Sequence, residues 1–346
     1  MVDAICTEIR LKKDRLHNQS IGSIYFGGGT PSVLSAKAYE QIFDTLTACF
    51  TILDDAEITM EANPDDLDAN KINALRQLPV NRFSIGVQSF FEEDLIWMNR
   101  AHTAAEAENC IKRSQDAGFE NLSIDLIYGY PLLTDQKWLT NIQKAIDLKT
   151  PHISAYSLTV EARTALANAI QKGKQLALND EQSATQFLML NQYLSKAGFE
   201  HYEISNYSLP GCYAVHNTNY WRGIPYLGIG PSAHGFNGTT RYINIPNNAK
   251  YLAALNSNTL PETIEELSII DQFNEYIMTS LRTQWGIDLH KIAANFGKEL
   301  ETQTRRLLVK FIDQEKVVIT NHKVTLTQQG KLFADGIAAE LFAEND

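Results

Sequence analysis

The chain has 346 residues and a formal net charge of −11, from 30 basic and 41 acidic side chains. At roughly 150 residues per domain, this length predicts two domains or one large domain with an appendage. A content of 44% apolar and 21% charged residues is that of a globular protein and excludes disorder, collagen and coiled coil, while the acidic balance argues against nucleic acid as a partner.

In chain order, the opening MVDAICTEIRLKKDRL reads as a helix with no strand before it; its early acids and lack of an apolar run predict no signal peptide. Five short apolar strands follow, at Ser23–Phe26, Glu57–Met60, Arg82–Val87, Leu122–Ile127 and Ile153–Leu158. Amphipathic helices alternate with them, which is the rhythm of βα units building a parallel sheet. Ser35 opens a helix with Tyr39, Ile42, Phe43, Leu46 and Phe50 on one stripe. Thr103 and Glu106 form a capping box, and Gly118 stands where that helix should stop. Thr134 starts a helix with Trp138, Ile142, Ala145 and Ile146 inward, and a longer one runs from about Asp180 to Lys196, ending at Gly198.

Between Phe199 and Tyr242 nine of 44 residues are aromatic and six are glycine, so this stretch reads as loop-rich. From about Glu262 the chain is expected to turn helical. The tail then predicts helices at Leu289–Phe296 and Glu301–Asp313, strands at Val317–Thr320 and Val324–Leu326 about a turn at Asn321–His322, and a last helix from Gln328. That order is a winged-helix-like module. Winged helices often bind DNA, but residues 275–346 hold nine basic and ten acidic side chains, which favours a docking or lid role instead. The expected division is a partial βα barrel over 1–200, an aromatic and glycine-rich connection over 201–261, and the winged-helix-like module over 262–346.

The chemistry-bearing residues cluster where the strands should end, since parallel βα barrels gather their sites at that mouth. The strands lead into Phe26-Gly27-Gly28-Gly29-Thr30-Pro31, Met60-Glu61, Val87-Gln88 and Ile124-Asp125. Each of Glu61, Gln88 and Asp125 can hold a small polar ligand or merely cap a helix; three in successive units favour the ligand. The glycines let backbone approach a ligand without a Cβ in the way, or form only a tight turn. They lack both the P-loop lysine and the dinucleotide GxGxxG spacing. Arg100, just before the Thr103 cap, can clamp a carboxylate or face solvent. His216, in His216-Asn217-Thr218-Asn219-Tyr220-Trp221, is either a haem ligand covered by aromatic rings or a hydrogen-bonded structural residue. Four cysteines (Cys6, Cys49, Cys110, Cys212) show no CxxC or CxxxCxxC spacing, so neither a disulfide scaffold nor a cluster loop is read, and a reducing, cytoplasmic compartment is expected.

Taken together, FGGGTPS, MEANP, GVQSF, NRAHT, IDLIYGYP, HYEISNY, HNTNYW and GIGPSAHG resemble the HemW group of radical-SAM proteins, relatives of the oxygen-independent coproporphyrinogen III oxidases. The resemblance covers nearly the whole chain, and HNTNYW matches the HNxxYW motif of the haem-chaperone branch. It implies an α/β fold, a partial (βα)6 radical-SAM-type barrel lacking its first strand, with a small C-terminal winged-helix-like α+β module. It also implies S-adenosylmethionine, with Gly28, Gly29 and Thr30 at its methionyl part, Arg100 at its carboxylate, and Glu61, Gln88 and Asp125 at its remaining polar groups. His216 would be the haem-iron ligand, with Tyr220 and Trp221 beside it. Haem and a haem-accepting protein are the implied partners, and delivery to a membrane-bound acceptor is open. The family's [4Fe–4S] cluster sits on a CxxxCxxC loop ahead of the first helix here. Its ligands are absent from these residues, so an N-terminally truncated form without radical chemistry is expected. The alternative function is oxidative decarboxylation of coproporphyrinogen III; a third is a βα barrel binding a small carboxylate without iron.

Overall fold

A computed structural model describes residues 1–16 and 19–344. The chain opens with helix α1 (Val2–Leu11), strand β1 (Ile21–Phe26) and helix α2 (Ala36–Cys49). Strand β2 (Ile52–Ala62), helix α3 (Ala69–Leu75), strand β3 (Arg82–Gln88) and helices α4 (Glu92–Trp97) and α5 (Ala104–Asp116) follow. Then come β4 (Asn121–Tyr128), α6 (Asp135–Asp147), β5 (His152–Ser157), α7 (Ala165–Gln171) and α8 (Asp180–Lys196). Strands β6 (Glu200–Glu203) and β7 (Asn206–Ser208) complete a curled half-barrel sheet in the order β1-β2-β3-β4-β5-β7-β6, with β1 at one edge. Neighbours from β2 to β5 pair in parallel, whereas β7 is antiparallel to both β5 and β6. Only two residues, Ile204 and Ser205, link β6 to β7, and so short a link reverses the chain instead of crossing over.

The remaining elements are α9 (Val215–Trp221), β8 (His234–Phe236), β9 (Thr240–Asn244), α10 (Asn248–Asn256) and β10 (Glu262–Glu266). The C-terminal part holds α11 (Ile269–Leu281), β11 (Ile287–Asp288), α12 (Leu289–Asn295), α13 (Lys298–Asp313), β12 (Val317–Thr320), β13 (Lys323–Leu326), α14 (Gln328–Lys331) and α15 (Ala334–Leu341). Two antiparallel sheets form here, β10-β9-β8 and β11-β13-β12, the second being the sheet of the winged-helix-like module.

By packing, the chain forms two compact units: Met1–Ile24, Leu34–Glu57 and Val215–Asp346 in one, Tyr25–Val33 and Ile58–Ala214 in the other. The second unit holds most of the half-barrel. Along β2 to β5 one face is apolar and buried (Met60, Phe83, Ile85, Leu122, Ile124, Leu126, Ile153), and Phe119 and Trp138 pack on its Phe83 and Tyr128. The other face carries Thr59, Glu61, Arg82, Ser84, Ser123, Asp125, His152 and Ser154, because period-2 alternation sends every second side chain inward. The first unit contains a separate core, with Phe273, Ile277, Leu281, Leu289, Ile292, Leu308, Phe311 and Val324 of the C-terminal module.

The helix starts read from the sequence hold. Ser35, Thr103 and Thr134 each accept the backbone N–H three residues on, and Thr103 with Glu106 completes the capping box. The stretch from Phe199 to Tyr242 is loop-rich as read, more than half of it lying outside helices and strands, with β6, β7, α9, β8 and most of β9 as short elements within it. Two readings are corrected. Glu262–Glu266 is a strand, not a helix; β-branched Thr263 and Ile264 suit a strand paired to β9, and the helix begins only after the Ser268 capping box. The helix expected from Glu301 begins at Lys298, directly after Gly297 with φ 101°.

Candidate functional site

At the end of β1 the chain enters the glycine segment. Gly28 donates its N–H to Glu61 Oε2 at 3.2 Å, and Tyr25 donates its hydroxyl to Glu61 Oε1 at 2.7 Å. Both oxygens of one carboxylate are thus committed, which fixes it against the loop. Gly27 permits this approach: a Cβ there would stand 2.8 Å from the Glu61 carboxyl and 2.6 Å from the Tyr25 ring. Gly28 and Gly29 have φ of 79° and 154°, and the space a Cβ would occupy on either is open.

Asp125 is not at the end of its strand, as the sequence reading had it; β4 continues three residues further to Tyr128. In register Glu61 lies level with Ser84 and Ser123, and Asp125 lies one inward-facing step beyond Ser123. Gln88 is the last residue of β3, beyond a register shift, with φ 66°. Asn99, in the left-handed region at φ 55°, ends α4 and turns the chain so that Arg100 reaches back. Arg100 Nη2 donates to Asn63 Oδ1 at 2.7 Å and to the Gly86 carbonyl at 3.2 Å. A Cβ on Gly86 would lie 3.0 Å from the Gln88 side-chain amide nitrogen and 3.3 Å from that guanidinium, so Gly86 leaves room for both side chains. Buried His102 lies within 3.1 Å of the Val87 carbonyl through Nε2, steadying the backbone just before Gln88.

Burial pushes the Asp125 carboxyl up to about 6; the hydroxyls of Ser154 and Ser84 and the charge of Arg82 pull it down, and that of Glu61 pushes it up. Gly28, Gly29, Thr30, Glu61, Gln88, Arg100 and Asp125 all fall within the half-barrel unit, on the outgoing ends or inward face of its strands or in the loops that follow. Two carboxylates, one guanidinium and an open stretch of glycine backbone suit a small ligand carrying both charges. Tyr25, Asn63 and Gly86 escaped the sequence reading. The only signal for Asn63 and Gly86 was their place beside Glu61 and Gln88 in MEANP and GVQSF, and for Tyr25 its place just before the glycine segment.

In the other unit, His216, Tyr220 and Trp221 lie on α9. Its first turn is anchored by Glu57, whose two oxygens accept the N–H groups of Val215 at 2.9 Å and His216 at 3.0 Å, a carboxylate placed where a helix start favours negative charge. His216 Nδ1 lies 3.0 Å from Ser23 Oγ. Tyr220, one turn on, is exposed, meets Trp221 edge to face at 5.3 Å and leans on Tyr226. The Arg282 guanidinium covers Trp221, and that of Arg222 covers Trp285.

Among the described residues no three His, Cys, Asp or Glu side chains gather to hold a metal ion. Cys110 is buried and its thiol pushed up to about 12, the reverse of what a thiolate ligand requires. The four cysteines of this sequence do not fit an iron–sulfur cluster.

A curled parallel half-barrel with polar residues on its inner face and a glycine loop after its edge strand is the architecture of radical-SAM proteins. The family model of the Radical SAM superfamily matches residues 6–145, and that of the HemN C-terminal domain matches residues 267–333. The solved structure described as "Coproporphyrinogen III oxidase (HemN) from Escherichia coli is a Radical SAM enzyme" superposes with a TM-score of 0.81 at 21% identity, over 99% of this chain and 82% of that one, which establishes the shared fold. Two curated relatives bear the name heme chaperone HemW. That of Lactococcus lactis subsp. lactis is 34% identical over 90% of this chain and 82% of its own length. That of Bacillus subtilis is 32% identical over 93% of this chain and 86% of its own. The chain belongs to the HemW family of radical-SAM proteins.

Proposed function

We propose that this protein is a haem-binding chaperone that carries haem on α9 and passes it to an acceptor protein. The observation that carries this reading is the build of HNTNYW: His216 and Tyr220 lie one turn apart on a helix whose first N–H groups are held by a carboxylate. A metal-binding imidazole is oriented by a hydrogen bond from its other nitrogen. With the proton on Nδ1 donated to Ser23, Nε2 carries the lone pair that iron needs, and Tyr220 and Trp221 supply aromatic surface for the porphyrin face. The names of the two relatives support the reading.

The glycine loop and strand ends fit S-adenosylmethionine in their donor and acceptor types. Gly28, Gly29 and Thr30 would meet its methionyl part, Arg100 its carboxylate, and Glu61, Gln88 and Asp125 its ammonium and ribose hydroxyls. In this role the chain's residues bind and orient the cofactor; bound to an iron–sulfur cluster, such a cofactor supplies radical chemistry. A cytoplasmic location is part of this proposal, a reducing compartment being compatible with four cysteines outside any disulfide; among the described residues no helix is long and apolar enough to cross a membrane.

The test is haem titration of single variants. His216→Ala should weaken haem binding by about tenfold or more and move the Soret band. His234→Ala should leave both unchanged. His201→Ala should lower stability instead, because His201 is buried, 2.6 Å from Asn191 and stacked on Tyr207. An unaltered spectrum and affinity in His216→Ala removes this residue as ligand. Formation of protoporphyrinogen from coproporphyrinogen III under anaerobic conditions would replace the chaperone reading with the oxidase one.

A further inference from the structure

Between the glycine segment and Arg100 lies a set of polar side chains whose donors and acceptors follow from their chemistry. Asn63 opens a short 3₁₀ turn over Pro64–Asp66, closed by the Asp66 N–H on the Asn63 carbonyl at 3.0 Å. The same turn brings their side chains together, and Asn63 Nδ2 donates to Asp66 Oδ2 at 3.2 Å. Buried Ser32, in the turn that follows the glycines, donates its hydroxyl to that same oxygen at 2.9 Å. On its other side Asn63 accepts through Oδ1 from Arg100 Nη2 at 2.7 Å, and Nη2 also donates to the Gly86 carbonyl at 3.2 Å. All of these residues belong to the half-barrel unit.

A guanidinium only donates and a carboxylate only accepts. The Asn63 amide therefore stands between them in one orientation, oxygen toward Arg100 and nitrogen toward Asp66. Both protons of Arg100 Nη2 are spent on this frame, which leaves those of Nε and Nη1. Among the described residues no carboxylate forms an ion pair with half-buried Arg100. Asp65 lines the same small cavity, but its carboxylate lies toward His102, 3.9 Å from Nδ1. An aspartate at position 63 would hold the guanidinium and cancel its charge. The neutral amide holds it and leaves the charge for an anion from outside the chain. Gly86 makes room for the arrangement, since a Cβ there would lie 3.3 Å from Arg100 Nη2 and 3.7 Å from Asn63 Oδ1.

We propose that Asn63 and Asp66 are positioning residues that lock the exit of the glycine segment and the Arg100 guanidinium into one frame, which presents the uncompensated edge of Arg100 to a carboxylate on the ligand. Two parts of the site that come from different βα units are thereby fixed to each other before any ligand arrives, so the cost of ordering them is met in folding and not in binding. That the ligand is S-adenosylmethionine rests on the reading above; the frame does not.

Arginine side-chain ¹⁵N NMR on the full chain without ligand tests the frame. The Nη signals of Arg100, assigned by their loss in Arg100→Lys, should be resolved in the wild type by slowed rotation about Cζ–Nη2. Asn63→Leu should collapse them and leave hydrogen exchange unchanged at the Val33 amide, which bonds to the Thr30 carbonyl in the turn holding Ser32. Ser32→Ala should do the reverse, with exchange about tenfold faster and the Arg100 signals intact. Asp66→Leu should do both, and Asp66→Asn should restore both, because one amide oxygen can accept from Ser32 and Asn63 together. Calorimetry with S-adenosylmethionine and its decarboxylated analogue reads the use of the frame. The wild type should prefer the carboxylate form by about tenfold, the equivalent of a hydrogen bond to a charged group. Asn63→Leu should bring that preference close to one. So should the isosteric Asn63→Asp, while keeping the Arg100 signals resolved. Freely rotating Arg100 in the wild type overturns the proposal, as do signals that ignore Asn63→Leu and Asp66→Leu in variants whose circular dichroism shows them folded. An equal loss for both compounds in the Asn63 variants also overturns it, since a merely structural role weakens them alike. Binding of neither compound by the wild type, with the NMR pattern as expected, would uphold the frame and remove the S-adenosylmethionine reading.

Discussion

A dense polar network in one compact unit and a polar line in the other are built on opposite principles. In the first unit Lys12 is buried with its Nζ 2.6 Å from Glu8, 3.3 Å from Glu262, 2.9 Å from the Gly228 carbonyl and 3.1 Å from Asn244. Arg15 also pairs with Glu262, while Glu8 accepts from Gly230, Asn244 and Tyr251. Two cations meet two carboxylates, so the network is neutral and closed upon itself. It ties α1 to the loop before β8, to β9, α10 and β10, segments more than 200 residues away. In the second unit the polar line from Tyr202 through His152 and Ser123 contains no ion pair and reaches Ser154, the register partner of Asp125, which remains partly open to solvent. A closed network contributes to the fold; an open one stops beside a charged group that is left accessible.

Substitutions that unbalance each network sharpen that contrast. The largest effect is expected for Lys12→Met, which strands buried Glu8 without its cation and should cost about 3–5 kcal/mol of stability in urea unfolding. A loss under 1 kcal/mol would show that the network is not closed by charge. Asp125→Asn should act in the opposite sense. The carboxyl, at about 6 when folded, lies near 3.9 in the unfolded chain, so the native state binds its proton more tightly. Stability therefore declines as pH rises from about 4 through about 6, and removing the charge should recover about 1–2 kcal/mol at pH 8 and nothing at pH 3.5. Equal effects at both pH values would mean that Asp125 is a structural acceptor. The smallest effect belongs to Glu57→Gln, which keeps an acceptor at the start of α9 but loses the charge. About 1 kcal/mol is expected, read as faster hydrogen exchange at the Val215 and His216 amides with little change in global unfolding.

The legible parts of this molecule were those set by local chemistry. Ser35, Thr103 and Thr134 announce their helices because a hydroxyl three residues ahead of an N–H makes the same cap in any fold. The strands around Met60, Phe83, Ile124 and Ile153 show because a sheet buried on one face demands apolar side chains at every second position. Glu61, Gln88, Arg100, Asp125 and His216 stood out by residue type and by motif. What escaped was the support for them. Nothing in the sequence marks Gly27 as the position whose Cβ would strike Glu61, Asn63 as the acceptor of Arg100, or Glu57 as the anchor of a helix 158 residues later.

By itself, then, the order of residues determined the alternation of strand and helix, the winged-helix-like tail and the identity of the groups able to hold a ligand, since caps, periodicity and motifs act over a few residues. Tertiary structure alone decided that β7 runs antiparallel to its neighbours β5 and β6, that 262–266 pairs as a strand, and that Asp125 lies within β4, level with Ser154 of β5. Strand pairing and register depend on groups brought together from distant positions, and their geometry exists only once the sheet has formed.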